Sequence, residues 1–171
     1  MPRVADRKGE IIDKALSLIA QRGIEKLTFR NLAGAVGISE PAFYRHFSGK
    51  SAILLAILDH FDALRRELFE RVRRQAPDSL AALEAVFTEH LSLFARQPAL
   101  AMLLFPEEIR QNRAELEARV SSMMRYGQEQ IAGILAEGKS RGEIRADLDP
   151  EQAALIVSGS LRLLVGRWRL G

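Results

Sequence analysis

Residues 28–50, TFRNLAGAVGISEPAFYRHFSGK, read as two short helices joined by a tight turn, and the rest of the chain is arranged around them. Thr28 suits an N-cap, because its hydroxyl oxygen can accept a bond from an otherwise unpaired backbone N–H. Phe29, Leu32, Ala33 and Val36 then recur on one helical face. Gly37 can take the left-handed conformation that ends a helix without steric penalty. Ile38 fills the angle of the turn, and Ser39 caps a second helix in which Phe43 and Phe47 face the core. Glu40, Pro41, Ala42, Tyr44, Arg45 and His46 are left on the outward side and leading edge. This is the pattern of a helix-turn-helix, whose second helix can enter the major groove of DNA.

The chain has 171 residues, enough for one domain or a small module fused to a larger one, and its 47% hydrophobic content permits a sizeable core. It contains no cysteine, which excludes disulfides, thiol nucleophiles and cysteine-bound zinc. The N-terminal MPRVADRKGEII lacks the apolar region of a secretory signal, and no apolar run approaches the roughly 18 residues of a membrane span. These features predict a soluble protein that stays in the cytoplasm, with no membrane partner. The net charge of +3 is unevenly spread: residues 1–50 carry nine Lys or Arg against five Asp or Glu, and the remainder sixteen against seventeen. The basic surplus sits with the helix-turn-helix, as a polyanionic partner requires, although solvated helix faces often carry such a surplus too.

Upstream, Arg3, Arg7 and Lys8 lead into a helix 1 from about Asp6 to Arg22, with Ile11, Ile12, Ala15, Leu16 and Ile19 as its core stripe and Gly23 ending it. Downstream, Ser48 is expected to cap a long helix 4 that carries Ile53, Leu54, Ile57, Leu58, Phe61, Leu64, Leu68 and Val72 inward and ends near Gln75. Ser79 opens helix 5, with Leu80, Leu83, Val86, Phe87, His90, Leu91 and Phe94 at helical spacing. A short helix 6 covers 99–105, helix 7 starts near Pro106 and reaches Gly138 or Arg141, and helix 8 runs from Glu151 to about Arg169. There is no strand pattern and no internal repeat. The expected fold is all-α. A three-helix DNA-binding domain (1–50) is joined through the long helix 4 to a helical C-terminal regulatory and dimerisation domain (51–171).

The segment from Leu27 to Lys50 resembles the DNA-binding signature of the TetR/AcrR family of bacterial transcriptional regulators. The likeness rests on Thr28, Leu32-Ala33, the Val36-Gly37-Ile38-Ser39 turn, Tyr44-Arg45-His46-Phe47 and Lys50, with the Gly23-Ile24 exit also fitting. It covers about the first sixty residues; the remainder is similar only in helix number and length. The resemblance implies a homodimer on double-stranded DNA, with a C-terminal domain holding the dimer interface and usually a pocket for a small-molecule inducer. It places Thr28, Tyr44, His46 and Lys50 at phosphates, and Ser39, Glu40, Pro41, Ala42 and Arg45 nearest the base edges. Side-chain chemistry agrees. Tyr44 and His46 carry donors for phosphate oxygens, and Lys50 adds charge near a helix N-terminus. Arg45 can pair bidentately with guanine, Glu40 can accept from cytosine, and Ala42 can meet a thymine methyl. Arg30 faces outward from helix 2, towards backbone or minor groove. Pro41 departs from the small residue usual at its position, stiffening that edge and removing a donor. The plainer alternatives are a half-buried Tyr44 with its hydroxyl in water, and Arg30 and Glu40 as solvated charges. His46 has no second His, Cys or paired carboxylate at ligand spacing, so neither a metal nor a cofactor is expected.

An inducer pocket would be concave and largely apolar, with a few convergent polar groups. Phe87, His90, Phe94, Met102, Phe105, Met123, Tyr126 and Gln130 are candidates for it, between helices 5, 7 and 8. His90 also reads as a core histidine satisfied by a backbone carbonyl, and Met102, Met123 and Met124 as gap-filling core. Helix 8 carries Ser158, Gly159, Ser160 and Gly166, which permit close helix approach, and Trp168, which suits an interface anchor. Family members usually close with two helices that pair with their symmetry mates. This sequence ends at Gly171 after the first, so the resemblance implies either a further segment outside it or a dimer built differently. Three functions compete. The first is a repressor on a palindromic operator, released by an inducer. The second is a nucleoid-occlusion-type DNA-binding protein acting through a protein partner without an inducer, which AVGISEPAFYRHFSGK also resembles. The third is an enzyme, against which stands the lack of any nucleophile–base pair, metal cluster, phosphate loop or close carboxylate pair. The repressor is the expectation.

Overall fold

Each helix begins and ends where local chemistry allows, in a computed structural model that describes residues 7–104 and 114–170. The elements are α1 (Arg7–Arg22), a 3-10 turn (Ile24–Lys26), α2 (Phe29–Val36), α3 (Glu40–Tyr44), α4 (Lys50–Gln75), α5 (Ser79–Arg96), α6 (Pro98–Leu104), α7 (Ala114–Ser140) and α8 (Pro150–Leu170). Among the described residues there is no strand. Thr28 Oγ1 accepts from the Asn31 N–H at 3.2 Å, and Ser39 Oγ from the Ala42 N–H at 3.3 Å, so both expected caps form. Gly37 closes α2 with φ of 73°, in the left-handed region that favours glycine.

Other boundaries differ from expectation. The N-cap of α4 is Gly49 rather than Ser48, without a side-chain bond. Ser79 opens α5 as expected, with Asp78 as its N-cap, whose Oδ1 accepts from the Ala81 N–H at 2.7 Å. α3 stops at Tyr44, which puts Arg45 and His46 in the turn beyond it; the Phe47 N–H still reaches the Phe43 carbonyl at 3.2 Å. The start of helix 7 before Ala114, Phe105 and the Arg3 end of the lead-in lie outside the described residues.

Two apolar clusters organise the packed interior, and α4 belongs to both. Ile11 and Ile19 of α1, Leu32 of α2, Phe43 of α3 and Ile57 of α4 share the first cluster with Leu100 of α6 and Val120 of α7. Phe69 and Val72 of α4 share the second with Val86, Ile131, Leu135 and Ala154. The helix-turn-helix is therefore packed directly on the body through α1 and α6, not merely hung from α4. Two helix faces depart from the sequence reading. On α4, Asp62 and Arg65 are buried while Leu64 is only half-buried, and on α5 Leu80 is exposed. On α8, Leu155, Ile156, Leu163, Leu164 and Trp168 form an exposed apolar stripe. No helix among the described residues is long and apolar enough to cross a membrane.

Candidate DNA-binding face and ligand cavity

The outer edge of α3 is held by aromatic rings beneath it. Phe43 is fully buried and packs against Phe29 and Phe47, with centroids 5.2 and 5.8 Å apart. Tyr44 meets Phe29 edge-on at 4.5 Å yet remains 53% exposed, so its ring is braced at the surface rather than packed inward. Such edge contacts contribute about 0.5–1.5 kcal/mol beyond area burial. Arg45 and His46 are exposed in the turn after α3, and Thr28, Ser39 and Pro41 are exposed at the two helix starts. Pro41 sits in the first turn of α3, where its missing N–H has no intrahelical partner to lose. Ala42 is half-buried. Arg30 and Glu40 approach to 3.7 Å across α2 and α3, with the Arg30 side chain 89% exposed. A pair this solvated contributes at most about 1 kcal/mol and is readily exchanged for another partner.

Lys50 is tethered to the connector that precedes α2. It is half-buried, and its Nζ donates to the Ile24 carbonyl at 2.8 Å, tying the first residue of α4 to the 3-10 turn. Asn31 works alongside it: Nδ2 donates to the Lys26 carbonyl at 2.8 Å. Both acceptors are main-chain oxygens in a connector, which residue types alone do not reveal.

A cavity of about 70 Å³ lies between α4, α5, α7 and α8, with Leu104 of α6 at its rim. Its walls are mostly apolar, among them Phe61, Phe69, Val86, Met123, Ile131 and Leu161, and its polar members are Arg65, His90, Ser158 and Arg162. Of the candidates named from sequence, His90, Phe94 and Met123 line it. Phe87, Met102, Tyr126 and Gln130 do not; all four are half-buried. Tyr126 instead lies under the Arg66 guanidinium, 3.9 Å from its ring centre, and edge-on to Phe69. The contribution of α4, through Phe61, Arg65 and Phe69, was not anticipated. A shallower groove of about 340 Å³ along α7 and α8 shares Leu104, Met124 and Arg162 with the cavity and adds Glu117, Ser121, Arg125 and Gln128.

A buried polar cluster forms the α4 side of the cavity. Arg65 Nε donates to His90 Nε2 at 3.3 Å, and Nη1 donates to the Met123 carbonyl at 3.1 Å. His90 Nδ1 lies 2.8 Å from the Val86 carbonyl, so the neutral tautomer with hydrogen on Nδ1 satisfies both contacts. His90 is thus both the backbone-satisfied core histidine and a cavity wall. Burial first, then the Arg65 charge, lower its pKa to about 4. Asp62 is the buried counter-charge. Its Oδ1 faces Arg65 Nη1 at 3.5 Å, while Oδ2 accepts from Arg66 at 2.9 Å and Arg119 at 3.1 Å. Burial pushes this carboxyl up, but the hydrogen bonds and charges of Arg66 and Arg119 outweigh burial and hold it below the usual aspartate value. Arg119 also donates to Asp59 at 2.6 Å, which fastens α7 to α4.

A helix-turn-helix with a braced, exposed edge, packed on a helical body that encloses a cavity, is the build of a DNA-binding transcriptional regulator. Residues 11–57 match the bacterial regulatory proteins of the tetR family, and residues 52–171 match the C-terminal region of YsiA-like protein. The chain belongs to the TetR family of transcriptional regulators. The HTH-type transcriptional repressor KstR2 of Rhodococcus jostii is 31% identical over 170 residues, covering 96% of this chain and 81% of that protein. The fatty acid metabolism regulator protein of Bacillus subtilis is 28% identical over 162 residues, covering 93% and 81%. The crystal structure of the transcriptional regulator FadR from Bacillus subtilis in complex with stearoyl-CoA matches with a TM-score of 0.78 at 26% identity, over 95% of this chain and 87% of that one. The nucleoid occlusion factor SlmA of Haemophilus influenzae is 24% identical over 139 residues, which cover 81% of this chain and 64% of that protein.

Proposed function

We propose that this regulator represses transcription by occupying a palindromic operator as a homodimer, and that an acyl thioester entering the α4–α5–α7–α8 cavity releases it. The observation that carries the reading is that the cavity is walled by α4, the helix whose first half is core to the DNA-binding head. Ligand sites usually measure roughly 300–1,000 Å³. Filling a cavity of about 70 Å³ therefore requires its walls to move apart, and α4 is one of those walls. Half-sites one helical turn apart demand recognition helices about 34 Å apart, and a shift of α4 in both protomers changes that spacing. The exposed stripe of Leu155, Ile156, Leu163, Leu164 and Trp168 on α8 suits the protomer contact.

On DNA, Tyr44, His46, Thr28 and Lys50 take phosphates, the three N–H donors of the Lys50 ammonium allowing a phosphate contact beside the bond to the Ile24 carbonyl. Ser39, Glu40, Pro41, Ala42 and Arg45 lie along the bases, with Arg30 free to exchange Glu40 for the backbone. The protein acts in the cytoplasm by binding, without turnover. The ligand class is supported by the apolar walls and by a relative crystallised with stearoyl-CoA. Fluorescence anisotropy on DNA upstream of the gene tests the reading. Specific, steeply salt-dependent binding that acyl-CoA abolishes is expected; binding that ignores every acyl-CoA would overturn it. Dispersed chromosomal binding without transcript changes on deletion would favour the nucleoid-occlusion alternative.

A further inference from the structure

We propose that cavity and groove form one two-part site, in which Arg65 and Ser158 receive the carbonyl oxygen of an acyl thioester while Arg162 and Arg125 receive its anionic head. This rests on the ligand reading above and adds which atoms of the ligand are read, and by which residues.

Ser158 Oγ is buried without a hydrogen-bond partner among the described residues, although it lines a cavity whose walls are otherwise mostly apolar. Leaving a buried hydroxyl unpaired is unfavourable, and a ligand oxygen removes that penalty. The bonds that hold Arg65 use Nε and Nη1. Its Nη2 lies against Gly127, where any β-carbon would overlap it, so the glycine is what lets a guanidinium occupy this wall. The local charge also favours an acceptor: among the described residues Arg65, Arg66 and Arg119 pair with just two carboxylates, Asp59 and Asp62, and burial beside Arg65 keeps His90 neutral. A carbonyl brings partial negative charge to that surplus without the full desolvation cost of a carboxylate.

The order of the layers selects the thioester. Arg162 and Met124 stand where cavity and groove meet. Ser158 precedes Arg162 by four residues on α8, and Gly127 follows Met124 by three on α7, so the polar layer lies about one helical turn, roughly 5 Å, inside the mouth. One turn further from Gly127, His90 and Arg65 along their helices come Ile131, Val86 and Phe69, all apolar. An acyl thioester has the same sequence of parts: phosphorylated head, carbonyl, hydrocarbon. Guanidinium groups at the groove suit phosphate oxygens, and among the described residues Glu117 is the one carboxylate lining that groove.

The test compares octanoyl- and stearoyl-CoA with their S-alkyl thioethers, which keep chain and head but lack the carbonyl, and with octanoate and CoA alone, by calorimetry on the full chain. The thioesters should bind about tenfold or more tightly than the thioethers. Ser158→Ala and Arg65→Gln should each shrink that ratio, and Arg125→Gln with Arg162→Gln should weaken both CoA series about tenfold while leaving the ratio intact. Equal binding of thioester and thioether to the wild-type chain, a comparison that needs no variant to fold, would overturn the carbonyl assignment while leaving the functional reading standing. A ratio that survives in both Ser158→Ala and Arg65→Gln would do the same. Octanoate binding as tightly as octanoyl-CoA would overturn the head assignment. Failure of every acyl ligand would sink both this site and the function proposed above.

Discussion

Replacing Asp62 by asparagine tests the buried cluster most directly. The side chain keeps its size but loses the charge that faces Arg65, and the two residues are 2% and 7% exposed. Arg66 and Arg119 can turn to water, since their side chains are 45% and 25% exposed. Arg65 cannot, and is left with only the neutral acceptors His90 and Met123. Breaking a buried pair from one side costs about 3–5 kcal/mol. The separation of 3.5 Å and the surviving hydrogen bonds place this case near the lower end. With a urea dependence of about 2 kcal/mol per molar, the unfolding midpoint should fall by about 1.5 M at fixed protomer concentration, with the slope unchanged. Asp62→Leu combined with Arg65→Met should recover most of the loss, because an apolar pair of similar volume carries no unpaired charge. A shift below about 0.3 M in the single variant, or a double variant no better than the single, would refute the reasoning. The pH dependence has a definite sign. The folded-state pKa of Asp62 lies below its unfolded value, so its contribution is complete above about pH 4 and is lost as pH falls through the folded pKa.

His90 acts in a higher window. Its folded pKa of about 4 lies below the ordinary 6.5, so its contribution is present above pH 6.5 and drains away as pH falls towards 4, by about 3 kcal/mol in all. His90→Gln should flatten that limb of the stability profile in chemical denaturation. Gly37→Ala forces a β-carbon into φ of 73° and should cost about 1 kcal/mol, read as a melting-temperature drop of about 3 °C. Lys50→Met should cost about 1 kcal/mol even without DNA, through the lost bond to Ile24, as a thermal melt of the free protein would register. Leu163→Arg, on the exposed stripe of α8, should leave helicity unchanged, shift sedimentation to the monomer and weaken operator binding about thirtyfold, the size of one interface hot spot.

Local chemistry was legible in the sequence; charge burial was not. Thr28, Gly37 and Ser39 each announce a helix boundary by what their own atoms can do, and each occurs where expected. Ser79 opens α5 as expected, whereas Ser48 yields the cap of α4 to its neighbour Gly49, a one-residue choice that depends on the approach of the preceding chain. Phe43 and Phe47 turned inward as their spacing requires, which left Tyr44, Arg45 and His46 outside. The cavity was only half visible. His90 and Phe94 lie on an apolar face of α5, but Asp62 and Arg65 fall outside the apolar stripe by which helix 4 is read. Their partners, His90, Arg119 and Met123, are 25 to 58 residues away. Nothing periodic marks such a cluster. The sequence clue was Leu64, whose place in the stripe competes with the Phe61, Leu68 and Phe69 face that carries Asp62 and Arg65 inward.

The small volume behind Arg65 has a consequence for when the regulator responds. A site that is largely closed at rest must be opened by its own ligand, and the apparent affinity is the intrinsic one multiplied by the fraction of molecules already open. If that fraction is about 1%, the threshold concentration rises about a hundredfold over what the walls alone would give. Phe94, packed against Phe61 at the cavity wall, helps to set that fraction without needing a specific bond to the ligand. The dose at which transcription switches is thus adjustable by methylene-sized changes in the core, independently of which molecule is sensed.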